Sequence, residues 1–316
     1  MTPDVPSDTT RMVVPWTTRA RQTLLLVSAL LGLVLANACP ENPLNPTSTE
    51  VSPLLIDERV IVGAGDIANC ETNGAEQTAA LLDTIPGIIV TAGDNAYFQG
   101  STHDYLQCYE PTWGRHKART RPSPGNHEYE TAGGAAYFDY FGAKAGPRGL
   151  GYYSFSTAGW LILSLNSSVD ASAASAQAAW IRNTLRDNTN LCTMAIFHHP
   201  PVASGPNGGS TVMMDIWRML SAANVDVVMT GHEHVYERFA PLDAQVVPAA
   251  RGIRLFVVGT GGAPLSPLMS RSAGTQYQAT AWGVLKFTLQ ADSYEWSFIP
   301  VPGAIAARDD GRENCH

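Results

Sequence analysis

Charge is scarce in this sequence. Lys, Arg, Asp and Glu make up 15% of 316 residues, while hydrophobic residues make up 45%. That balance excludes a charge-driven disordered chain and suits an exported globular protein. Cations are the scarcer sign, 20 against 28 acidic residues, for a net charge of −8. An acidic body argues against nonspecific binding to nucleic acid or to anionic membrane. A long apolar run is also missing. The strongest, Leu24 to Ala36, is short of the roughly 20 residues a membrane span needs. No internal repeat is present. The glycine-rich "GTGGAP" lacks the Lys-Ser/Thr of a phosphate-binding P-loop and reads as a turn.

What the N-terminus does have is a leader pattern. Arg19 and Arg21 precede an uncharged apolar stretch that ends in Ala36-Asn37-Ala38, the small-x-small signature of a cleavage site. Residues 1–38 are therefore expected to be a signal peptide. Cys39 follows immediately, as the lipid-bearing cysteine does in a bacterial lipoprotein. The protein is expected to be secreted, periplasmic or anchored at the cell surface through a lipid on Cys39. Residues 39–55, rich in Pro, Asn, Ser and Thr, read as an unstructured tether. A catalytic domain over 56–302 and a C-terminal tail over 303–316 complete the expected organisation. The remaining cysteines, Cys70, Cys108, Cys192 and Cys315, allow two disulfides in an oxidising compartment, with three possible connectivities.

Within the domain, apolar runs end repeatedly in polar, glycine-containing loops: "RVIVGAGD", "GIIVTAGD", "CTMAIFHH", "VDVVMTGHEH" and "IRLFVVGTGG". These are buried strands. Helical segments are expected over 76–83, 174–187 and 216–223. The alternation indicates an α/β fold with chemistry at the carboxyl ends of strands. The terminal "VLKFTLQADSYEWSFI" alternates on both sides of a turn, with Leu285, Phe287 and Leu289 on one face and Tyr294, Trp296 and Phe298 on the face of the next strand. That pattern is a hairpin.

Five of the eight histidines fall in three short motifs: His127 in "GNHEY", His198 and His199 in "FHHPP", and His232 and His234 in "GHEHVYER". Two Gly-Asp loops, "GDIA" and "GDNAY", accompany them. Singly each signal is weak, because Gly-Asp is usually a turn and His-His-Pro is more often structural. The ordered set is specific. It resembles the calcineurin-like metallophosphoesterases, and within them the purple acid phosphatase branch and its bacterial secreted relatives, over roughly residues 57–300. The resemblance implies a four-layer αββα sandwich of two mixed sheets flanked by helices. It implies two metal ions, the first held by Asp66, Asp94, Tyr97 and His234. The second would be held by Asp94, Asn126, His198 and His232, with Asp94 bridging. It also implies hydrolysis of a phosphomonoester by a metal-bound hydroxide attacking in line. His127 would protonate the leaving group or bind phosphate, and His199 would stand on the substrate side.

One departure sharpens the assignment. Many members carry Gly-Asp-x-His in the first motif, where this chain has Ala68, which has no donor atom. Tyr97 then completes the first site. A phenol of ordinary pKa about 10 ionises near neutrality only beside a strong Lewis acid, so Fe(III) is expected there, with Fe, Zn or Mn in the second site. The expected partner is a small phosphate ester. A phosphodiesterase or nucleotidase on the same scaffold is the nearest alternative. A non-catalytic protein that binds metal or phosphate is the more distant one. The sequence "PTWGRHKARTRP" reads as a solvated cationic face rather than a phosphate-steering patch, and Tyr236-Glu237-Arg238 as a support for the last loop.

Overall fold

The computed structural model describes residues 55–306 and 308–316. The expected leader and Cys39, with nearly all of the tether, lie outside the described residues. No described helix is long and apolar enough to cross a membrane.

The apolar runs become strands in the expected order: β1 (Asp57–Ala64), β2 (Gly87–Ala92), β3 (Thr120–Ser123), β4 (Tyr153–Thr157), β5 (Trp160–Ser164), β6 (Cys192–Ile196) and β7 (Val227–Thr230). They are followed by β8 (Tyr236–Leu242), β9 (Ile253–Val258), β10 (Thr275–Ala279), β11 (Gly283–Leu289), β12 (Ser293–Pro300) and β13 (Asp309–Asn314). One sheet runs β13-β12-β11-β1-β2-β3 and the other β10-β8-β9-β7-β6-β5-β4. Both are mixed. β1, β2 and β3 are parallel, as are β5, β6, β7 and β9, and the outer strands pair antiparallel.

The period-two alternation of a strand sorts side chains between two cores. Ile162, Met194, Ile196 and Phe256 face the inter-sheet layer, where they join Ile61 and Phe287. Their sequence neighbours Leu161, Leu163, Ala195 and Phe197 point the other way. There they pack under helices Ala176–Arg186 and Met214–Ala222. Helix Gly74–Leu82 lies against β11 on the first sheet. The result is the expected α/β arrangement, two mixed sheets flanked by helices. In the hairpin, Leu285, Phe287 and Leu289 stand opposite Phe298, Trp296 and Tyr294, so both apolar faces coincide.

Residues 303–316 do more than trail from the domain. β13 adds an edge strand to the first sheet, pairing with β12 from Ser293↔Asn314 to Phe298↔Asp309. "DDGREN" lacks the apolar alternation that signals a strand, and its side chains are tied down by distant partners instead. Asp309 accepts from the Tyr236 hydroxyl at 2.7 Å and from Arg238. Glu313 pairs with Arg254 of β9 and accepts from the Tyr294 hydroxyl at 2.8 Å. The cysteines resolve to Cys70–Cys108 and Cys192–Cys315. The second joins the residue after β13 to the start of β6, in the other sheet.

Two arginines of the cationic run before β3 are engaged within the chain. Arg115 bonds Glu76 and Asp83. Arg119 donates to the carbonyls of Leu82, Ile85 and Gly87, each at 2.6 Å, satisfying acceptors where helix Gly74–Leu82 ends.

Candidate metal centre

Every histidine motif and both Gly-Asp loops follow a strand. Asp66 follows β1, Asp94 and Tyr97 follow β2, Asn126 and His127 follow β3, His198 and His199 follow β6, and His232 and His234 follow β7. The first two loops run side by side: the N–H groups of Asp66, Ile67 and Ala68 donate to the carbonyls of Gly93, Asp94 and Asn95 at 2.9–3.0 Å. Ala68 in turn accepts the Tyr97 N–H at 2.9 Å. The residue without a donor side chain thus fixes the backbone of the tyrosine. Asp66, Asp94 and His232 all sit at positive φ, 59°, 50° and 70°. Such conformations are sparse for residues with a Cβ and persist where the surroundings enforce them.

The seven expected ligands converge in two groups. In the first, the Tyr97 hydroxyl lies 2.8 Å from Asp66 Oδ1, 3.2 Å from Asp94 Oδ2 and 3.1 Å from His234 Nε2. His234 Nε2 is 3.2 Å from Asp66 Oδ1. In the second, His198 Nε2 lies 3.0 Å from Asp94 Oδ2, 3.0 Å from Asn126 Oδ1 and 3.2 Å from His232 Nδ1. Asp94 Oδ2 belongs to both groups. Asp66, Asp94 and His198 are all buried.

The donor set fits divalent or trivalent metal ions. It is all oxygen and nitrogen, with no thiolate. The atoms stand about 3 Å apart, the edge of an octahedron with bonds of about 2.1 Å. The imidazoles are aimed from behind. Nδ1 of His198 meets the Ala92 carbonyl at 2.8 Å, and Nδ1 of His234 meets the Pro264 carbonyl at 2.7 Å. These bonds hold each ring by Nδ1 and aim its Nε2 inward. The electrostatics agree. Burial alone would depress His198, but Asp94 and then Asp66 lift it to about 9. Burial likewise opposes, and Asp66 outweighs, a rise of His234 to about 9. Protons thus supply positive charge where the carboxylates demand it. Burial and the same two carboxylates push the Tyr97 phenol well above its ordinary value.

His127 and His199 border the cluster. The His127 N–H donates to Asp94 Oδ1 at 2.9 Å, its Nδ1 meets the Phe98 carbonyl, and its Nε2 is 3.8 Å from Asp94 Oδ2. His199 Nδ1 is 2.8 Å from Ser167 Oγ, and its ring lies 4.4 Å from that of His232. Burial and then His198 and His232 push His199 down to about 3.

Sequence reading passed over the residue that holds these loops together. Glu128, fully buried, accepts from the N–H groups of Asp94 at 3.0 Å, Asn95 at 2.8 Å and Gly125 at 2.7 Å, and from the Tyr105 hydroxyl at 3.0 Å. One carboxylate therefore ties the Asp94 loop to the Asn126 loop. Gly125 is required beside it, because a Cβ there would stand 2.2 Å from Asp94 Oδ1. Glu237, within the "YER" read as a loop support, accepts from Ser204 N–H at 2.9 Å and from the Ser204 and Thr275 hydroxyls at 2.6 Å each. The Asn-Ser-Ser sequon at Asn166 is buried. Its amide donates to Tyr129 Oη at 2.6 Å and to the Leu150 carbonyl at 2.8 Å.

Comparison with known proteins agrees with this geometry. The model of the calcineurin-like phosphoesterase family matches residues 60–236. Purple acid phosphatase 18 of Arabidopsis thaliana is 29% identical over 196 residues, covering 55% of this chain and 43% of that protein. Probable purple acid phosphatase 20 of the same plant is 28% identical, covering 43% and 38%. The chain thus spans about two-fifths of the length of these curated relatives. Among solved structures, purple acid phosphatase PPD1 from yellow lupin superposes with a TM-score of 0.70 at 18% identity, covering 81% of this chain and 53% of that one. GAP50 of Plasmodium superposes with a TM-score of 0.60 at 13% identity, covering 81% and 89%. Both share its fold.

Proposed function

This chain belongs to the calcineurin-like phosphoesterase family, and from that membership we propose that it is a phosphoric-ester hydrolase working with two metal ions on phosphomonoesters. The observation that carries the reading is the position of Asp94 Oδ2, within 3.2 Å of the Tyr97 hydroxyl on one side and 3.0 Å of His198 Nε2 on the other. Asp66, Asp94, Tyr97 and His234 would hold the first ion, and Asp94, Asn126, His198 and His232 the second. Bound there, the ions supply Lewis acidity, which lowers the pKa of a water and stabilises charge on phosphoryl oxygens.

The chain's residues do the rest. The Asp94 carboxylate offsets repulsion between two cations. Asn126 contributes a neutral oxygen and so leaves the second position electron-poor. His127, held by the Phe98 carbonyl, presents Nε2 at the edge of the cluster, where it can bind the phosphoryl group or pass a proton to the departing alkoxide. His199, oriented by Ser167, faces the substrate side. Tyr97 beside Ala68 supports Fe(III) in the first position, with Fe, Zn or Mn in the second. Two disulfides support export, with Cys39 either lipidated or free.

Phosphate release from p-nitrophenyl phosphate against its bis-ester tests the reaction. The monoester is expected to be the better substrate. Preference for the diester would favour the phosphodiesterase alternative, and inactivity of the fully metal-loaded protein on both would revive the reading as a binding protein. The metal assignment is tested by colour. A tyrosinate-to-iron absorption band is expected, and it should vanish in Tyr97→Phe. A stoichiometric zinc pair without colour would overturn the iron.

A further inference from the structure

Next to the donor cluster, a cleft of about 690 Å³ opens between the loop that follows β5 and the segment entering helix Met214–Ala222. Ser167 is one of its lining residues, its hydroxyl bonds His199, and the His199 ring lies 4.4 Å from His232. One side chain therefore separates the cleft from the second group of donors.

The wall is built rather than improvised. Asn166, fully buried next to Ser167 in the chain, donates its backbone N–H to Gln177 Oε1 and accepts at its carbonyl from Gln177 Nε2, both at 2.8 Å. Its side-chain oxygen accepts the Ser168 N–H at 2.9 Å while its amide reaches Tyr129 and Leu150. The loop after β5 is thus locked in place, and on that side a ligand would meet a preorganised surface.

The lining chemistry selects among leaving groups. Hydroxyls come from Ser167, Ser172 and Thr211. Asp170 accepts the Ser172 N–H at 2.9 Å and makes no ion pair among the described residues. The one cation of the lining, Arg218, is spent on Asp215 at 2.9 Å. A polyphosphate or another anion would have to compete with Asp215 for the one arginine of the lining. Val169 and Val212 place apolar surface between the polar groups. Hydroxyl donors and acceptors, an unpaired carboxylate and interspersed C–H faces are complementary to an uncharged polyhydroxylated alcohol.

We propose that this cleft is the leaving-group subsite and that it takes the sugar or polyol portion of a phosphomonoester. The inference rests on the phosphatase reading above. Hydroxyl groups of the alcohol donate to the Asp170 carboxylate, and Thr211 contacts it from the opposite wall.

The test compares kcat/KM for glucose 6-phosphate, p-nitrophenyl phosphate and ATP in the wild type, Asp170→Asn and Thr211→Phe, with bound metal measured in each. The wild type is expected to prefer the sugar ester to ATP. Asp170→Asn should lower the sugar-to-aryl ratio by about tenfold, the worth of one hydrogen bond to a charged acceptor, and Thr211→Phe should lower it by crowding the cleft, both at full metal content. A ratio unmoved in either variant, or a wild type that prefers ATP, overturns the subsite and leaves the phosphatase reading intact. No hydrolysis of any of the three by metal-loaded wild type overturns the reading on which the subsite rests.

Discussion

At the scale of single residues, the proposed metal centre depends on side chains outside its donor set. Glu128 collects three backbone N–H groups from the Asp94 and Asn126 loops and the hydroxyl of Tyr105. Replacing one of its oxygens with an amide nitrogen sets donor against donor inside a buried network, a costly arrangement. Glu128→Gln is expected to weaken metal binding by about 10- to 100-fold, in the range of other outer partners of metal ligands. Competition with a chelator measures that directly. The role of Glu128 is one of position, so excess metal should restore much of its activity, whereas loss of a ligand itself would not be rescued. In the sequence, Glu128 is an ordinary glutamate in a loop. Nothing local marks the four donors that converge on it, because they come from residues 3 to 34 positions away.

At the scale of elements, the last strand carries the most consequence. β13 has little apolar surface of its own and depends on the disulfide and its ion pairs. Cys192–Cys315 closes a separation of 123 residues. Its loss in a Cys192→Ser, Cys315→Ser double variant is expected to cost about 2–5 kcal/mol. Thermal unfolding measures the cost, and limited proteolysis should show the C-terminus released first. The Glu313 pair adds a pH signature. Burial would raise that carboxyl, but Arg254 and the Tyr294 hydroxyl outweigh it and hold it below the usual glutamate value. A folded-state pKa below the unfolded one stabilises at pH above the unfolded value of about 4.3. That contribution is lost as pH falls through the lower, folded value. Glu313→Gln is thus expected to lower Tm by about 2–4 °C at pH 7, with the gap closing in acid. Strands β1, β2, β6, β7 and β9 were legible because each is a continuous apolar run ending in a polar loop, and the hairpin because its alternation is unbroken. β13 was not, since "DDGREN" is held by partners on β8, β9 and β6 that no local pattern reveals. The same holds for Arg119, whose acceptors lie 32 to 37 residues away.

At the scale of the whole molecule, the two sheets meet at the donor cluster. Asp66, Asp94, Tyr97 and Asn126 come from loops of the first sheet, and His198, His232 and His234 from loops of the second. Neither sheet alone carries a complete group. The family resemblance carried by the ordered motifs named the residues expected to assemble. The fold supplies what order cannot, namely the 3 Å spacings, the carbonyls behind His198 and His234, and the cleft leading away from His199. The central claim is that Asp94 joins two metal positions into one centre. Metal content per chain, measured on purified wild type and Asp94→Ala after saturation and removal of free ions, tests it most directly. Two ions per wild-type chain are expected, and one or fewer in the variant. A wild type that holds a single ion, or a variant that retains two, would contradict the account.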